Sequence, residues 1–497
     1  MARRARAVAM PALGLDRASD VPLHRQLYEA LRQAILEGRL RPGARLPSTR
    51  ALAVELGSSR NTVLAAVEHL TDEGYLEGRV GAGTTVRGTL PEALLHTRPG
   101  PAPSARNGAG APQLSRRGAL LIRARSGPRL GAAARPFRPG APAYDDDVIK
   151  RWGQLTARHW GGVGRHLLDY GDPMGFMPLR EAIATYLREA RAVRCEAGQV
   201  MVVSGSQHGL DLAVRLLLDP GDRAWLEDPG YLGARGALMA AAARLVPVPV
   251  DGEGLEVARG MRAAPHARLA YVTPSHQYPL GVTMSLARRL ALLEWAHTRR
   301  AWIVEDDYDS EYRYTGRPLA SLQGLDRHGR VIYIGTFSKV LFPALRLGYV
   351  VVPPALVDAF AAARGLVDRH PPSVTQAVLA EFIAEGSFAR HVRRMRMRYA
   401  EQQAALVQAA RRELDGVLEV SPAEAGMHLV GWLPTGADDR AASAAALAAG
   451  IEAPALSSFR LRPSRSSGLL LGYAAWQPSE LRAAAKTLAA ALHRVCE

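Results

Sequence analysis

From about residue 141 onward, short apolar runs alternate with stretches of helical spacing. Each run is followed by a polar or glycine-rich loop. The runs read QVMVVSG, DRAWLEDPGY, ARLVPVPVD, ARLAYVTPSH, RAWIVEDDYD, RVIYIGTFSK and LGYVVVP. Strands that are apolar on both faces are typical of a largely parallel sheet covered by helices, so the pattern predicts an α/β domain. In such a sheet, ligands bind beyond the carboxyl ends of the strands.

A segment of different composition precedes this domain. Residues 89–140 are rich in Pro, Gly, Ala and Arg, and they hold nine arginines and one acidic residue. Such a segment buries too little apolar surface to fold alone, so we interpret it as a flexible linker to a domain at 141–497. As a coil it would span on the order of 40 Å, from about 5 to 6 Å times the square root of its length.

Residues 20–88, which follow a tail at 1–19, have the pattern of three helices and a hairpin. Apolar residues at helical spacing mark the helices: Leu23, Leu27, Leu31 and Ile35, then Leu52, Ala53 and Leu56, then Val63, Val67 and Leu70. A Gly-Ser-Ser turn separates the second helix from the third, and YLEGRVGAGTTV predicts two short strands around a glycine hairpin. This order is that of a helix-turn-helix followed by a wing.

The stretches GRLRPGARLPSTRALAVELGSSRNTV and EGYLEGRVGAGTTV resemble the winged helix-turn-helix of the GntR family. The resemblance implies binding to double-stranded operator DNA, and the net charge of +16 agrees with such a partner. The residues implied in DNA contact are Ser48, Arg50, Arg60, Asn61, Thr62 and Gly81. Arg and Asn at a helix N-terminus can read base edges, while hydroxyls position the protein on phosphates. Leu64 stands where some relatives have another arginine.

Lys339 is one of only three lysines among 63 basic residues, and it lies in GTFSKVLFPALRLGY. An arginine is always protonated, whereas a lysine in a partly desolvated pocket can lose its proton and form a Schiff base with an aldehyde. Thr336, Ser338 and Arg346 are close in sequence and offer hydroxyl and guanidinium groups to a phosphate. A lysine beside a phosphate site indicates pyridoxal phosphate; the alternative interpretation is an exposed loop lysine without a role.

Two other strand ends carry groups that suit this cofactor. Ser206 and Gln207 open a helix after QVMVVSG, where free backbone N–H groups and the helix dipole can hold a phosphate. Asp306 and Tyr308 follow AWIVE and lie two residues apart, on one face of an extended segment. A carboxylate there can keep a pyridine nitrogen protonated, and a phenol can bond the 3-oxygen of the ring.

Six blocks in this order resemble the fold type I aminotransferases: YGDPMGFMPLREAIATYL, VVSGSQHGLDL, LEDPGYLGARG, VTPSHQYPLG, IVEDDYDSEYRY and GTFSKVLFPALRLGY. By this resemblance Lys339 is the Schiff-base lysine and Asp306 the partner of the pyridine nitrogen. The implied phosphate cradle consists of Ser206, Gln207, Thr336, Ser338 and Arg346. The resemblance also places Tyr231 near the cofactor ring, and Tyr170 where a tyrosine reaches across a dimer.

Two positions depart from working aminotransferases. Tyr278 replaces the asparagine of an NPTG block, which would bond the 3-oxygen of the cofactor. Leu470 occupies the slot where those enzymes commonly place an arginine that grips the substrate carboxylate. A cation could come instead from a basic loop just upstream, although a generic loop is the alternative; its arginines are Arg460, Arg462 and Arg465. Full transamination is therefore not expected, and a single half-reaction stays open.

A GntR-like DNA-binding domain joined to an aminotransferase-like domain is identified as the architecture of the MocR family of bacterial transcription regulators. This resemblance implies a homodimeric regulator that senses pyridoxal phosphate, or an adduct of it with an amine such as γ-aminobutyrate or taurine. The alternative function is an active aminotransferase with an attached DNA-binding module. Two cysteines in no metal-binding spacing and no clean transmembrane span favour a cytoplasmic protein without a metal or a membrane partner.

Overall fold

The protein is described from a computed structural model, which covers residues 13–79, 83–89, 114–123, 135–162, 164–315 and 320–496. The chain divides into two compact units, Met1–Pro112 and Gln113–Glu497. Each unit has its own hydrophobic core. The DNA-binding position predicted at Gly81 lies outside the described residues.

The first unit is a three-helix fold with a two-stranded antiparallel sheet. Its elements are α1 (Leu23–Leu36), α2 (Thr49–Glu55), α3 (Arg60–Asp72), β1 (Leu76–Arg79) and β2 (Gly83–Val86). The predicted apolar faces meet in the core, where Leu27, Leu31, Leu52, Val63 and Leu70 are fully buried. The prediction of a winged helix-turn-helix is confirmed.

Serine side chains begin the second and third helices of this unit. Ser48 accepts a hydrogen bond from the backbone N–H of Ala51 at 3.2 Å, and Ser59 accepts one from Thr62 at 3.1 Å. Each bond satisfies an N–H group that has no partner within its helix. Gly57 ends the second helix with a φ of +58°, a conformation that glycine adopts without strain.

The second unit is built on an eight-stranded mixed sheet. Its strands are β3 (Val200–Val203), β4 (Arg223–Asp228), β5 (Arg244–Asp251), β6 (Gly254–Leu255), β7 (Leu269–Val272), β8 (Trp302–Asp307), β9 (Val331–Thr336) and β10 (Gly348–Val351). The order across the sheet is β3-β10-β9-β8-β7-β4-β5-β6. The pairs from β9 to β5 are parallel, whereas β10 is antiparallel to both neighbours. All seven predicted runs are strands of this sheet.

Helices cover the sheet and follow its strands. They are α4 (Arg116–Arg123), α5 (Asp146–Gly161), α6 (Met177–Arg191), α7 (Ser206–Leu217), α8 (Leu232–Ala240), α9 (Val257–Ala263), α10 (Leu286–Arg299), α11 (Leu322–Leu325), α12 (Val357–Val367), α13 (Ser373–Ala384) and α14 (Ser387–Glu413). A small antiparallel sheet comes last in the chain, formed by β11 (Glu419–Val420), β12 (His428–Trp432) and β13 (Gly468–Gly472), together with α15 (Asp439–Ala448) and α16 (Pro478–Cys496).

The segment predicted to be a linker differs from that prediction at two places. The helix α4 lies within it, and Arg117 donates from Nε to the backbone carbonyl of Ala240 at 2.9 Å. Near its end, Phe137 is fully buried, and its carbonyl accepts a hydrogen bond from the N–H of Gly472 at 2.8 Å. Residues 135–140 thus pack in the second unit, because a buried aromatic ring and a strand-like bridge hold them there.

Among the described residues, no helix has both the length and the apolar character that crossing a bilayer requires.

Candidate functional site

A cavity of about 250 Å³ lies beyond the carboxyl ends of the central strands. Its polar lining consists of Ser206, Gln207, Tyr231, Tyr271, Thr273, Tyr278, Asp306, Tyr308, Thr336, Ser338, Lys339, Arg346 and His428. Every residue predicted to bind the cofactor is among them except Tyr170. The sequence analysis missed Tyr271 and Thr273, at the end of β7, and His428, at the start of β12 in the small sheet. These segments meet only in the folded unit.

Lys339 is held just after β9, with its amine inside the cavity. Nζ donates a hydrogen bond to the backbone carbonyl of Gly140 at 2.7 Å. Burial lowers the pKa of Lys339 from its usual value, and nearby Asp309 and Asp306 oppose this shift. A lower pKa raises the fraction of neutral amine, which is the nucleophilic form.

Asp306 is at the end of β8 and faces the same cavity. The Tyr271 hydroxyl donates to its Oδ2 at 2.7 Å, while Oδ1 is buried and has no hydrogen-bond partner among the described residues. Burial raises the pKa of Asp306 to about 7. A buried oxygen without a partner is costly, so this atom can gain from a donor within the cavity.

Asp307 points to the other face of the same strand. Its Oδ2 accepts a hydrogen bond from Arg191 Nε at 2.9 Å and another from the hydroxyl of Tyr333. Adjacent residues of a strand project to opposite faces, so Asp306 and Asp307 cannot both reach the cavity. Asp306, and not Asp307, is therefore the carboxylate that faces the cavity.

An anion cradle forms where α7 begins. Gly205 precedes the helix with a φ of +99°, and a Cβ there would lie 3.3 Å from a guanidinium nitrogen of Arg346. Arg346 donates to the carbonyl of Ser204 at 2.6 Å, which holds the guanidinium beside the helix N-terminus. Ser206 is the first residue of the helix, where backbone N–H groups and the dipole favour an anion.

Two other residues of the predicted phosphate cradle, Thr336 and Gln207, form hydrogen bonds with the protein backbone. Thr336 Oγ1 accepts a hydrogen bond from the N–H of Ser338 at 3.1 Å. Gln207 donates from Nε2 to the carbonyl of Gly233 at 3.0 Å. These bonds fix the loop after β9 and the start of α7, so the hydroxyls and the amide are positioned before any ligand arrives.

Tyr308 is part of a buried network that the sequence analysis did not identify. Its hydroxyl lies 2.9 Å from Nδ1 of His276, and the same Nδ1 lies 3.1 and 3.2 Å from the two carboxylate oxygens of Asp309. Gly426 makes room for the imidazole, since a Cβ there would lie 2.0 Å from its Cε1. A signal was available, because Asp309 follows Tyr308 directly and His276 lies in the PSHQYPLG block.

Three tyrosines give the cavity an aromatic wall. The ring of Tyr278 meets those of Tyr231 and Tyr308 edge-on, with centroids 5.9 and 5.8 Å apart. Burial raises the pKa of Tyr231 to about 12, so its hydroxyl keeps its proton. Tyr278, which replaces an asparagine in the resemblance to aminotransferases, therefore faces the cavity as an aromatic side chain with a hydroxyl.

Other predicted residues do not join this cavity. Tyr170 is 74% exposed and lines a separate cavity of about 480 Å³ beside Trp160. None of the predicted effector-binding arginines, Arg460, Arg462 and Arg465, lies in the described lining around Lys339. These arginines belong to the segment before β13, and this segment lies beside Asp228 instead. The carboxylate oxygens of Asp228 accept hydrogen bonds from the backbone N–H groups of Leu461 and Arg462.

Leu470 is fully buried on β13. It packs with Val430, Leu456 and Phe459 in a small apolar cluster, and Tyr278 lies against this cluster. Aliphatic and aromatic side chains thus surround the position at which aminotransferases, by the resemblance, commonly have an arginine.

Among the described residues, the predicted DNA-contacting positions lie at the starts of α2 and α3. Arg50, Arg60 and Asn61 are exposed, and Thr62 is bonded through its N–H and its hydroxyl to Ser59. Leu64 is 37% exposed on the same helix. An exposed helix N-terminus with Arg and Asn can present donors to base edges.

The two units match two families. Residues 140–488 match the family described as aminotransferase class I and II, and residues 23–86 match the bacterial regulatory proteins of the gntR family.

Curated relatives combine both parts. The probable rhizopine catabolism regulatory protein MocR of Rhizobium meliloti is 44% identical over 96% of this chain and 95% of its own length. The HTH-type pyridoxine biosynthesis transcriptional regulator PdxR of Corynebacterium glutamicum is 32% identical over 82% of each chain. The crystal structure of Pyrococcus horikoshii kynurenine aminotransferase in complex with PMP superposes with a TM-score of 0.67 at 27% identity, over 78% of this chain and 96% of that one.

Proposed function

Because the chain belongs to the MocR family of transcriptional regulators, we propose that its aminotransferase-like unit holds pyridoxal 5'-phosphate and senses a small amine through it. The observation that carries the proposal is one cavity that contains a partly buried lysine amine, an anion cradle and a carboxylate oxygen with no hydrogen-bond partner among the described residues. These are the three groups that an aldehyde, a pyridine nitrogen and a phosphate require.

Each group of the cofactor has a place among the residues of this cavity. Lys339 would attach the aldehyde carbon, and Asp306 would bond the pyridine nitrogen through Oδ1. Ser206, Thr336, Ser338 and Arg346 would hold the phosphate, with Gln207 supporting the start of α7. Bound there, the cofactor supplies an electrophilic carbon and an electron-withdrawing ring.

Tyr308 would bond the 3-oxygen of the cofactor. A hydrogen on Nδ1 of His276 is shared between Asp309 and the Tyr308 oxygen, since a carboxylate only accepts. The proton of Tyr308 is then free to point into the cavity. Tyr231 and Tyr278 would flank the ring.

The first unit is proposed to bind operator DNA through the start of α3 and the wing. Arg60 and Asn61 would reach base edges in the major groove, and Arg50 would contact the same site from α2. Ser48 and Thr62 would lie near phosphates. The wing position Gly81 remains a prediction from the sequence.

The regulator is proposed to work as a homodimer in the cytoplasm. Tyr170 and Trp160 are exposed around a cavity apart from Lys339, which agrees with the expectation that Tyr170 of one subunit completes the cofactor site of the other. Two DNA-binding units would then address two half-sites. The effector domain is proposed to comprise residues 135–497, because residues 135–140 pack in the second unit.

The alternative, an active aminotransferase, is less well supported. The relatives with both parts are named as regulators, and Leu470 fills the place of a carboxylate-binding arginine.

Adding pyridoxal phosphate to the purified full-length protein tests the proposal. A new visible absorbance that survives dialysis is expected, together with a change in DNA binding when a suitable amine is added. Protein that stays colourless would contradict the proposal, and sustained turnover of an amino donor with a keto acid would favour the alternative.

A further inference from the structure

The charges around the cavity limit what else it can bind. Among the described lining residues, the cationic side chains are Lys339 and Arg346, and the proposed function commits both to the cofactor. Arg138 is not part of the described lining, although its charge lowers the pKa of Lys339. Its Nε lies 3.7 Å from a carboxylate oxygen of Glu452. Within one subunit and among its described residues, a ligand carboxylate in this cavity would therefore be desolvated without a cation of its own.

His428, on the cavity wall next to Tyr278, offers a neutral hydrogen-bond acceptor in place of a cation. Its Nε2 lies 3.0 Å from the carbonyl of Pro279, and because a carbonyl only accepts, Nε2 carries the hydrogen. Nδ1 then holds a lone pair, and no hydrogen bond to it is present among the described residues. Burial lowers the pKa of His428 to about 3, so the ring is neutral and Nδ1 remains an acceptor at physiological pH.

Next to His428 the cavity wall is aromatic. The ring of His428 lies edge-on to Tyr278, with centroids 5.4 Å apart, and Tyr278 packs against the Leu470 cluster. His428 begins β12 opposite Gly472, two residues after Leu470 on the neighbouring strand. This wall thus combines an apolar face with a neutral imidazole acceptor beside tyrosine hydroxyls.

We propose that the amine sensed by this protein carries a hydroxyl or another neutral hydrogen-bond donor rather than a carboxylate, and that Nδ1 of His428 accepts this donor. The inference rests on the proposed function, because it assumes that Lys339 and Arg346 are committed to pyridoxal phosphate. The ligand class is that of amino alcohols. α-Amino acids and ω-amino acids are disfavoured, because the described lining of one subunit offers no third cation for their carboxylate.

The ligand amine takes the place of Lys339 Nζ at the aldehyde carbon. One carbon–nitrogen double bond forms while the bond to Nζ breaks, and the two hydrogens of the incoming amine pass to Lys339, which regains a primary amine. No oxidant or reductant is needed, so the exchange is reversible and suits sensing.

The experiment compares three matched amines on the full-length protein loaded with pyridoxal phosphate: 3-aminopropan-1-ol, 3-aminopropanoate and butylamine. The change in the visible absorbance of the cofactor gives a dissociation constant for each. We expect the amino alcohol to bind at least about tenfold more tightly than the amino acid, because an unpaired buried charge is costly. It should also bind about three- to tenfold more tightly than butylamine, from one neutral hydrogen bond.

Two variants test the wall itself. His428→Leu should make the amino alcohol and butylamine bind equally, while the amino acid stays weak. Leu470→Arg should reverse the preference towards 3-aminopropanoate. Leu471→Met is the matched control, because Leu471 lies on the other face of β13 in the large core and should leave the ratios unchanged. If Leu470→Arg does not fold, the inference is tested by His428→Leu alone, in which the amino alcohol must lose its advantage over butylamine.

The outcomes separate the two levels of the proposal. Tighter or equal binding of 3-aminopropanoate would overturn the inference, as would a cofactor absorbance that none of the amines changes. In both cases the cofactor would still be bound, so the proposed function would stand. A protein that acquires no absorbance with pyridoxal phosphate would instead contradict the proposed function.

Discussion

The Tyr271 hydroxyl donates a hydrogen bond to Oδ2 of Asp306 across 2.7 Å, and this bond leaves Oδ1 buried without a partner among the described residues. Tyr271 lies on β7 and Asp306 on β8, two parallel neighbours in the sheet. The strand pairing therefore orients the carboxylate, with one oxygen held by the protein and the other left for a ligand.

Asp306→Asn is expected to weaken retention of pyridoxal phosphate and to shift its absorbance, because an amide cannot balance a protonated pyridine nitrogen. Spectra and dialysis of the full-length variant check this. Asp307→Asn is not a neutral control, since Asp307 is bonded to Arg191 and should mainly lower the free energy of unfolding. An Asp306→Asn protein with unchanged spectrum and affinity would show that the carboxylate is assigned wrongly.

Lys339→Ala is expected to abolish the absorbance that survives dialysis, because a Schiff base needs a primary amine. Lys150→Ala is the matched control, since Lys150 is an exposed lysine of the same unit. The control should keep the wild-type spectrum. Dialysis-resistant absorbance in Lys339→Ala would place the attachment at another residue.

Asp306 should make the stability of the cofactor-free protein depend on pH. Its pKa is raised to about 7 by burial, so between about pH 4 and pH 7 the folded protein keeps a proton that the unfolded chain has lost. The free energy of unfolding contributed by this group therefore falls as the pH rises through that range.

Urea unfolding at pH 5 and pH 7.5 measures this effect in the wild type and in Asp306→Asn. Buried Glu227 and Glu305 and partly buried Glu311, whose pKa values are also raised to about 7, contribute in the same direction in both proteins. The loss of stability between the two pH values should thus be smaller in the variant. An identical loss in both would contradict a raised pKa at Asp306.

Arg60→Ala and Arg50→Ala should each weaken operator binding by about 1 to 3 kcal/mol if they make bidentate base contacts. Selectivity should relax at one base position in each case. Arg39→Ala is a control, because Arg39 is exposed and paired with Glu37 at 2.7 Å, away from the start of α3. If each variant loses the same affinity for operator DNA and for random DNA, the two arginines contact phosphates rather than bases.

Light scattering of the full-length protein should give the mass of a dimer. Tyr170→Ala should leave that mass unchanged while it weakens cofactor retention, because one side chain is a small part of an interface, whereas Tyr170 is proposed to be a direct neighbour of the partner subunit's cofactor. A monomer at working concentration, or a Tyr170→Ala variant that binds cofactor normally, would contradict the proposed role of Tyr170.

Much of the fold follows from local patterns. Six of the seven predicted apolar runs became strands that are largely buried on both faces: β3, β4, β7, β8, β9 and β10. Their sequences therefore carry the signal of a covered sheet without knowledge of their neighbours. The helices of the first unit were predicted in the same way, from Leu27, Leu31 and Val63 at helical spacing. Lys339 was singled out because lysine is rare in this arginine-rich chain.

The tertiary structure decided what no local pattern could. The choice between Asp306 and Asp307 depends on which face of β8 meets the cavity, and the pairing of Asp306 with Tyr271 depends on the order of the strands. His428 reaches the cavity from a strand almost ninety residues after Lys339 in the chain, beside a wall that Leu470 closes. Sequence spacing determines which groups share a strand or a helix face, whereas contacts between distant segments, and the burial that shifts their pKa values, exist only once the whole sheet has formed.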